Sequence, residues 1–337
     1  MSTVADPAGT APSGSLSALR QAQGPAEDDR TPGSSSEDAE GDRTPGTLSE
    51  DAEGARDETA PPTSSSGSRI RLIATDLDGT LLDPAGRVSA RTRAALDAAR
   101  AAGIAVVPVT ARQPIGLRAI AAEAGFEGWA LCGNGAYGIH LDTHEPLFAT
   151  EIAVPVQQRI AHELGTRIEG LLFASVREAG EVFVAQAGYA EVATHGDHKR
   201  DPASMGAVPL AEVLAAPSLK LVIRHATIAP AEIFDALGAL DQSGFEATLS
   251  GAPFVEVMAE GVTKATGLAQ LCDRLGIDRS EVLAFGDALN DVEMLRWAGR
   301  GVAMANAEPE ALAAADEVAP SNAEDGVAVM IERVLAG

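Results

Sequence analysis

Residues 1–68 contain no Ile, Phe, Trp, Tyr, Cys or Lys. A segment so poor in large apolar side chains cannot bury enough surface to offset the entropy of ordering, so disorder is expected there. Seven of the 19 prolines fall in this stretch, and Ser, Gly, Ala, Asp and Glu dominate the rest. Cysteine is scarce throughout: Cys132 and Cys272 form neither a disulfide framework nor a metal-ligand spacing, and a reducing cytoplasm is the expected setting. The opening MSTVADPAGTAPSG has no basic and no apolar stretch, so no secretory leader is expected. The longest apolar run near the core, AAGIAVVPV (101–109), is too short for a bilayer, and no membrane association is expected. Basic residues are also few, 25 against 49 acidic ones, for a net charge of −24. Residues 1–68 carry 13 acidic and 4 basic residues, and the remainder 36 and 21, so both parts are acidic. With no basic stripe to receive a phosphate backbone, nucleic acid is not an expected partner. An acidic protein that handles an anion must supply positive charge locally, from a metal or a few placed cations.

The acidic segment contains a tandem repeat, DRTPGSSSEDAEG (29–41) followed by DRTPGTLSEDAEG (42–54). Two copies without an apolar face are not a solenoid; they read as low-complexity duplication or as an acidic docking tail for an unknown partner. From residue 69 onward, short apolar runs alternate with helical periodicity, the pattern of a parallel sheet covered by helices. Expected strands are IRLIAT (70–75), IAVVPVT (104–110), WALCG (129–133), EVLAFGD (281–287) and GVAMA (301–305). Expected helices are 89–103, 263–276 and 289–299, each closing on glycine, with Cys272 on the apolar stripe of the second. Between Thr110 and Lys264 lie too many residues for a simple crossover, and residues 150–254 mix their own helical and strand-like runs. The chain is therefore expected to divide into a tail (1–68), a core in two parts (69–149 and 255–337) and an inserted α/β cap (150–254).

Four clusters fall where a strand ends or a helix begins, the edge at which open parallel sheets bind ligands. They are DLDGT (76–80), Thr110 closing VVPVT, Lys264 opening a helix, and GDALND (286–291). Together with CGNGA (132–136), VEVMAEGVTK (255–264), GVAMANA (301–307) and SNAEDGV (321–327), their order and spacing resemble the haloacid dehalogenase superfamily. Within it the sequence is similar to the Cof-type group with a large α/β cap. The resemblance covers about residues 69–337 and leaves the tail outside. It departs from the usual pattern at Ala111, where glycine is common, and at Pro108, which removes a ladder donor inside a strand.

The resemblance implies a Rossmann-like core and a Mg2+-dependent phosphatase acting on a small phosphorylated metabolite such as a sugar phosphate. Asp76 would be the nucleophile and Asp78 the acid and base. Asp76, Asp287 and the main-chain carbonyl of Asp78 would hold the metal, with Asp291 close by. Thr110, the amides around Leu77 and Asp78, and Lys264 would bind the phosphoryl group; Asn290, Asn134 and Arg112 are further candidates for phosphate or substrate contact. Physical reasoning agrees, since a dication between an attacking carboxylate and a phosphate oxygen neutralises both. It also explains how Asp76 and Asp78 are tolerated one residue apart despite like-charge repulsion. Other readings exist for single residues. An Asp-Gly pair favours turns, Asp287 and Asp291 suit a helix start, and Thr110 could be a strand-end hydroxyl. His140, His144, His195 and His198 are expected at the surface rather than as ligands. A phosphomutase and a tail-mediated interaction protein with a phosphatase-like domain are the competing functions.

Overall fold

The computed structural model describes residues 69–198 and 200–337. The expected disordered tail and its repeat lie outside the described residues. Strands β1 (Leu72–Thr75) and β2 (Ala105–Pro108) pair in parallel. An antiparallel meander follows, with β3 (Trp129–Cys132), β4 (Tyr137–His140) and β5 (Pro146–Ala149). The next five strands are β6 (Leu172–Arg177), β7 (Val182–Ala185), β8 (Lys220–Arg224), β9 (Phe245–Thr248) and β10 (Val255–Ala259). They form a second antiparallel sheet in the order β7-β6-β8-β10-β9. The chain then returns with β11 (Val282–Gly286), β12 (Arg300–Met304) and β13 (Glu317–Ala319), completing a parallel core sheet in the order β13-β12-β11-β1-β2. Among the described residues no helix is long and apolar enough to cross a membrane.

The central strands β1 and β11 are buried along their whole length, as expected for a sheet covered on both faces. Helix Ala90–Ala101 starts where Ser89 accepts a hydrogen bond from the Thr92 amide at 3.0 Å, and it buries Ala95, Leu96 and Ala99. Helix Lys264–Leu275 begins with a reciprocal cap. The Thr266 amide donates to Thr263 Oγ1 at 3.2 Å, and the Thr263 amide donates to Thr266 Oγ1 at 2.9 Å. Cys272 is buried on its apolar face.

Three expectations need correction. The cap boundary at 254 falls one strand short: β10 pairs with β8 and β9, so Val255–Ala259 belongs to the cap sheet. The run WALCG opens the meander instead of a core strand; one parallel bridge, Val109 to Leu131, joins it to the core sheet's edge. The helix after Asp291 ends at Trp297, and Gly299 has no left-handed conformation. Glycine is needed there for space, because a Cβ would lie 2.5 Å from the Ser280 Cα.

The two departures from the family pattern are absorbed locally. The amides of Ala105 and Val109 donate to Arg71 and Thr75 on the β1 side, so the nitrogen of Pro108 faces the opposite side, where the Thr110 amide donates to Leu131 of β3. Ala111 does not need positive φ. Its carbonyl instead accepts a hydrogen bond from Lys220 Nζ of the cap at 2.9 Å.

Candidate active site

The C-terminal ends of β1, β2 and β11 lie side by side, which brings Asp76, Thr110 and Asp287 to one edge of the sheet. After Asp76 the chain turns through Leu77–Leu81, with Gly79 at φ 85°. A side chain at Gly79 would be strained, and its Cβ would lie 2.2 Å from Asp287 Oδ2. The turn thus brings the backbone against Asp287, while Thr80 Oγ1 donates to Asp287 Oδ1 at 2.5 Å. Asn306 Nδ2 secures the same turn through the Gly79 carbonyl at 2.8 Å.

Lys264 is the electrostatic centre. Its Nζ donates to Asp76 Oδ1 and to Asp291 Oδ1, 2.6 Å in each case, and its side chain is fully buried. Asp291 turns its other oxygen to the amides of Asp287 and Ala288, at 3.0 and 3.1 Å. It therefore orients both the lysine and the loop that carries Asp287. Burial pulls the Lys264 ammonium down, but the Asp291 and Asp76 charges more than reverse this and hold it above its ordinary range. For Asp76, burial raises the carboxyl well above the usual range against the opposing charge of Lys264, with Asp291 and Asp287 adding to the rise. Asp287 is pushed up to about 6, first by burial.

The chemistry of this donor set fits a hard divalent cation. Oxygens of Asp76, Asp287 and Asp291 lie within 4.8 Å of one another. Three carboxylates facing one ammonium leave surplus negative charge in a buried place, which adds to the larger effect of burial on Asp76 and Asp287. All-oxygen ligands of this kind suit magnesium rather than a softer metal.

The remaining predicted residues divide into two groups. Asp78, Thr110, Arg112 and Asn290 line, with Asp76, a cavity of about 290 Å³ between core and cap. Arg112 grips the Asp78 carboxylate with two bonds, Nε to Oδ2 at 2.6 Å and Nη2 to Oδ1 at 2.5 Å. Thr110 Oγ1 accepts from the Arg112 amide at 3.1 Å, so its own hydrogen remains to donate. Leu77 is buried in the core, which leaves its main chain for any phosphate contact. Asn134 lies behind the wall. It adopts φ 59°, accepts from Asn290 Nδ2 at 2.9 Å and donates to Glu256 Oε2 at 3.2 Å.

Sequence reasoning missed several participants. Glu256 and Lys220 form a buried ion pair on adjacent cap strands, and both line the cavity. Their signal was a single charge inside each of two apolar runs, LKLVI and VEVMA. His198, expected at the surface in a cap run, THGDHK (194–199), that could touch substrate, lines the cavity with its ring stacked on Phe254 at 4.6 Å.

The model of the haloacid dehalogenase-like hydrolases matches residues 73–331, which is most of the chain and contains every residue of this site. The chain belongs to this family. This hydrolase is 31% identical to YxeH of Bacillus subtilis over 279 residues, 79% of its own chain and 99% of the relative. It is 29% identical to the HMP-PP phosphatase of Citrobacter koseri over 260 residues, 72% of its own chain and 87% of the relative. Among solved structures it resembles BT1666 from Bacteroides thetaiotaomicron, a phosphatase of the haloalkanoate superfamily, with a TM-score of 0.67. That match has 25% identity and covers 82% of this chain and 99% of the other. Within the family this Cof-type hydrolase is a phosphoric monoester hydrolase.

Proposed function

We propose that this hydrolase is a magnesium-dependent phosphatase that cleaves a small phosphorylated metabolite through an aspartyl phosphate on Asp76. The observation that carries the proposal is the convergence of Asp76, Lys264, Asp287 and Asp291 at the edge of a cavity that also holds Asp78. Asp76, Asp287 and the Asp78 carbonyl would hold magnesium, with Asp291 behind them, and the bound ion would neutralise charge on the nucleophile and the phosphate.

The protein groups then act in sequence. Lys264, protonated and fixed by Asp291, orients the Asp76 carboxylate and opposes the burial that favours its protonated form. Asp76 attacks phosphorus as the bond from phosphorus to the leaving oxygen breaks. Asp78, placed at the cavity wall by Arg112, first takes up a proton from solvent as that pair loosens and then gives it to the leaving oxygen. It then takes a proton from the water that attacks the aspartyl phosphate, which frees phosphate and restores Asp76. The Thr110 hydroxyl and the amides after Asp76 hydrogen-bond the phosphoryl oxygens. Water elsewhere is excluded by the cap, which Lys220 joins to the core through the Ala111 carbonyl.

Asp76→Asn tests this reading. Phosphate release should fall to background with the fold intact by circular dichroism; retained turnover would remove Asp76 as nucleophile. Free phosphate release, compared with isomer formation from a hexose phosphate, separates a phosphatase from a phosphomutase.

A further inference from the structure

An ion pair of the cap fixes which end of an amide the cavity receives. Glu256 pairs with Lys220 on the neighbouring strand, and both side chains are almost wholly buried. Burial raises the Glu256 carboxyl, but the charge and hydrogen bond of Lys220 outweigh it and hold the group below its ordinary range. An ionised carboxylate only accepts hydrogen bonds. The Asn134 amide that meets Glu256 Oε2 at 3.2 Å must therefore turn its Nδ2 there, since the reverse would set oxygen against oxygen. The same nitrogen lies 3.8 Å from Met258 Sδ, a second acceptor. Asn134 Oδ1 is left to accept, and Asn290 Nδ2 donates to it at 2.9 Å.

The relay ends at Asn290. Its nitrogen is committed to Asn134, so its oxygen is the free end of the chain. That Oδ1 is buried and has no hydrogen-bond partner among the described residues, in a side chain that lines the cavity together with Asp76 and Asp78. Gln113 lines the same cavity with both amide ends buried and unpaired. No such chain sets the direction of Gln113, which offers either end; Asn290 offers only an acceptor. A buried acceptor without a donor is destabilising, and a ligand that brings a donor removes that deficit.

The phosphoryl group does not supply that donor. Ionised phosphate oxygens are themselves acceptors, and two acceptors face to face repel. The donor must come from the rest of the substrate. We infer that Asn290 is a specificity-determining residue that accepts a hydrogen bond from an O–H or N–H group on the leaving portion of the substrate, with Glu256 and Asn134 as positioning residues that fix the direction of that bond. Asn290 is thereby assigned to the leaving portion rather than to the phosphate. This deepens the phosphatase reading and rests on it.

The full-length chain is assayed with magnesium on hydroxyethyl phosphate against fluoroethyl phosphate, and on their terminally substituted propyl homologues. Fluorine keeps the bond polarity and nearly the size of the hydroxyl but has no hydrogen to donate. In at least one pair the hydroxyl ester should be favoured about tenfold in kcat/KM, the scale of one hydrogen bond to a buried group. Asn290→Leu should bring that ratio to within about twofold of unity. Asn134→Gly suits the φ of 59° at its position, leaves Asn290 in place and frees the Asn290 amide to turn, so it should collapse the ratio as well. A merely structural role for either residue would slow both esters alike and keep the ratio. Equal efficiency within both pairs overturns the inference and leaves the acceptor to water; a ratio that either variant leaves unmoved also overturns it. Calorimetry with the matching phosphonates, in which a methylene replaces the bridging oxygen, separates binding from turnover. Preferential binding of the hydroxyl compounds without hydrolysis of any ester supports the acceptor site and sinks the phosphatase reading; hydrolysis without preference does the reverse.

Discussion

Replacing Lys264 with methionine removes the one cation that the site buries between two carboxylates. In the wild type, Nζ reaches Asp76 and Asp291 at 2.6 Å, and water cannot reach the ammonium. Taking one partner from such a pair leaves uncompensated charge and costs about 3–5 kcal/mol. For a domain of this size, that corresponds to a melting temperature lower by about 6–20 °C. The pH dependence follows from the raised carboxyls. Asp76 and Asp287 lie above their unfolded values, so between the two values the folded state binds more protons, and their contribution to stability improves as pH falls. Without Lys264 this trend should steepen. The melting deficit relative to wild type, measured in chelator, should be largest near pH 7.5 and shrink toward pH 5. Turnover should fall strongly at every pH, since the transferring phosphoryl loses its neutralising charge. A variant as stable as wild type at pH 7.5, or a deficit constant with pH, would refute the electrostatic account.

Three further outcomes are expected. Because Asp287 titrates at about 6 without metal, protons should compete with magnesium; the magnesium-induced rise in melting temperature should shrink from pH 7.5 to pH 5. A rise independent of pH would take Asp287 out of the ligand set. Gly79→Ala forces a Cβ toward Asp287 Oδ2 and should cut kcat/KM by about a hundredfold through misplacement of the carboxylates; near-normal kinetics would show that the turn can yield. Removing residues 1–68 should leave kcat/KM within about twofold, because every residue assigned a role in the site lies beyond them. A larger loss would tie the tail to catalysis.

The parts of this protein legible in its sequence are those written locally. Ser89 and Thr263 mark helix starts through bonds made within three residues, and apolar runs mark β1 and β11 because both sheet faces are covered. The aspartates of the first and last motifs were readable because the chemistry needs carboxylates at strand ends. Pairings between distant segments were not readable. Val255–Ala259 looks like the start of the returning core, yet its partners are cap strands that alternation alone cannot name. Arg112 was a candidate for substrate contact, but its bidentate hold on Asp78 spans 34 residues and depends on how two loops meet. His198 has an unremarkable polar neighbourhood in sequence; only folding places it against Phe254, 56 positions later.

The bond from Lys220 to the Ala111 carbonyl and the one from Asn134 to Glu256 join the cap sheet to the core beside the cavity. Breaking the first leaves the Ala111 carbonyl without its donor, and breaking the second leaves the Asn134 side-chain amide without its acceptor. Asn134 also accepts a hydrogen bond from Asn290, so one side chain touches both the cap sheet and the loop that carries Asp287 and Asp291. A displacement of the cap sheet would thus be felt through Asn134 at Asn290, next to the carboxylates of the site.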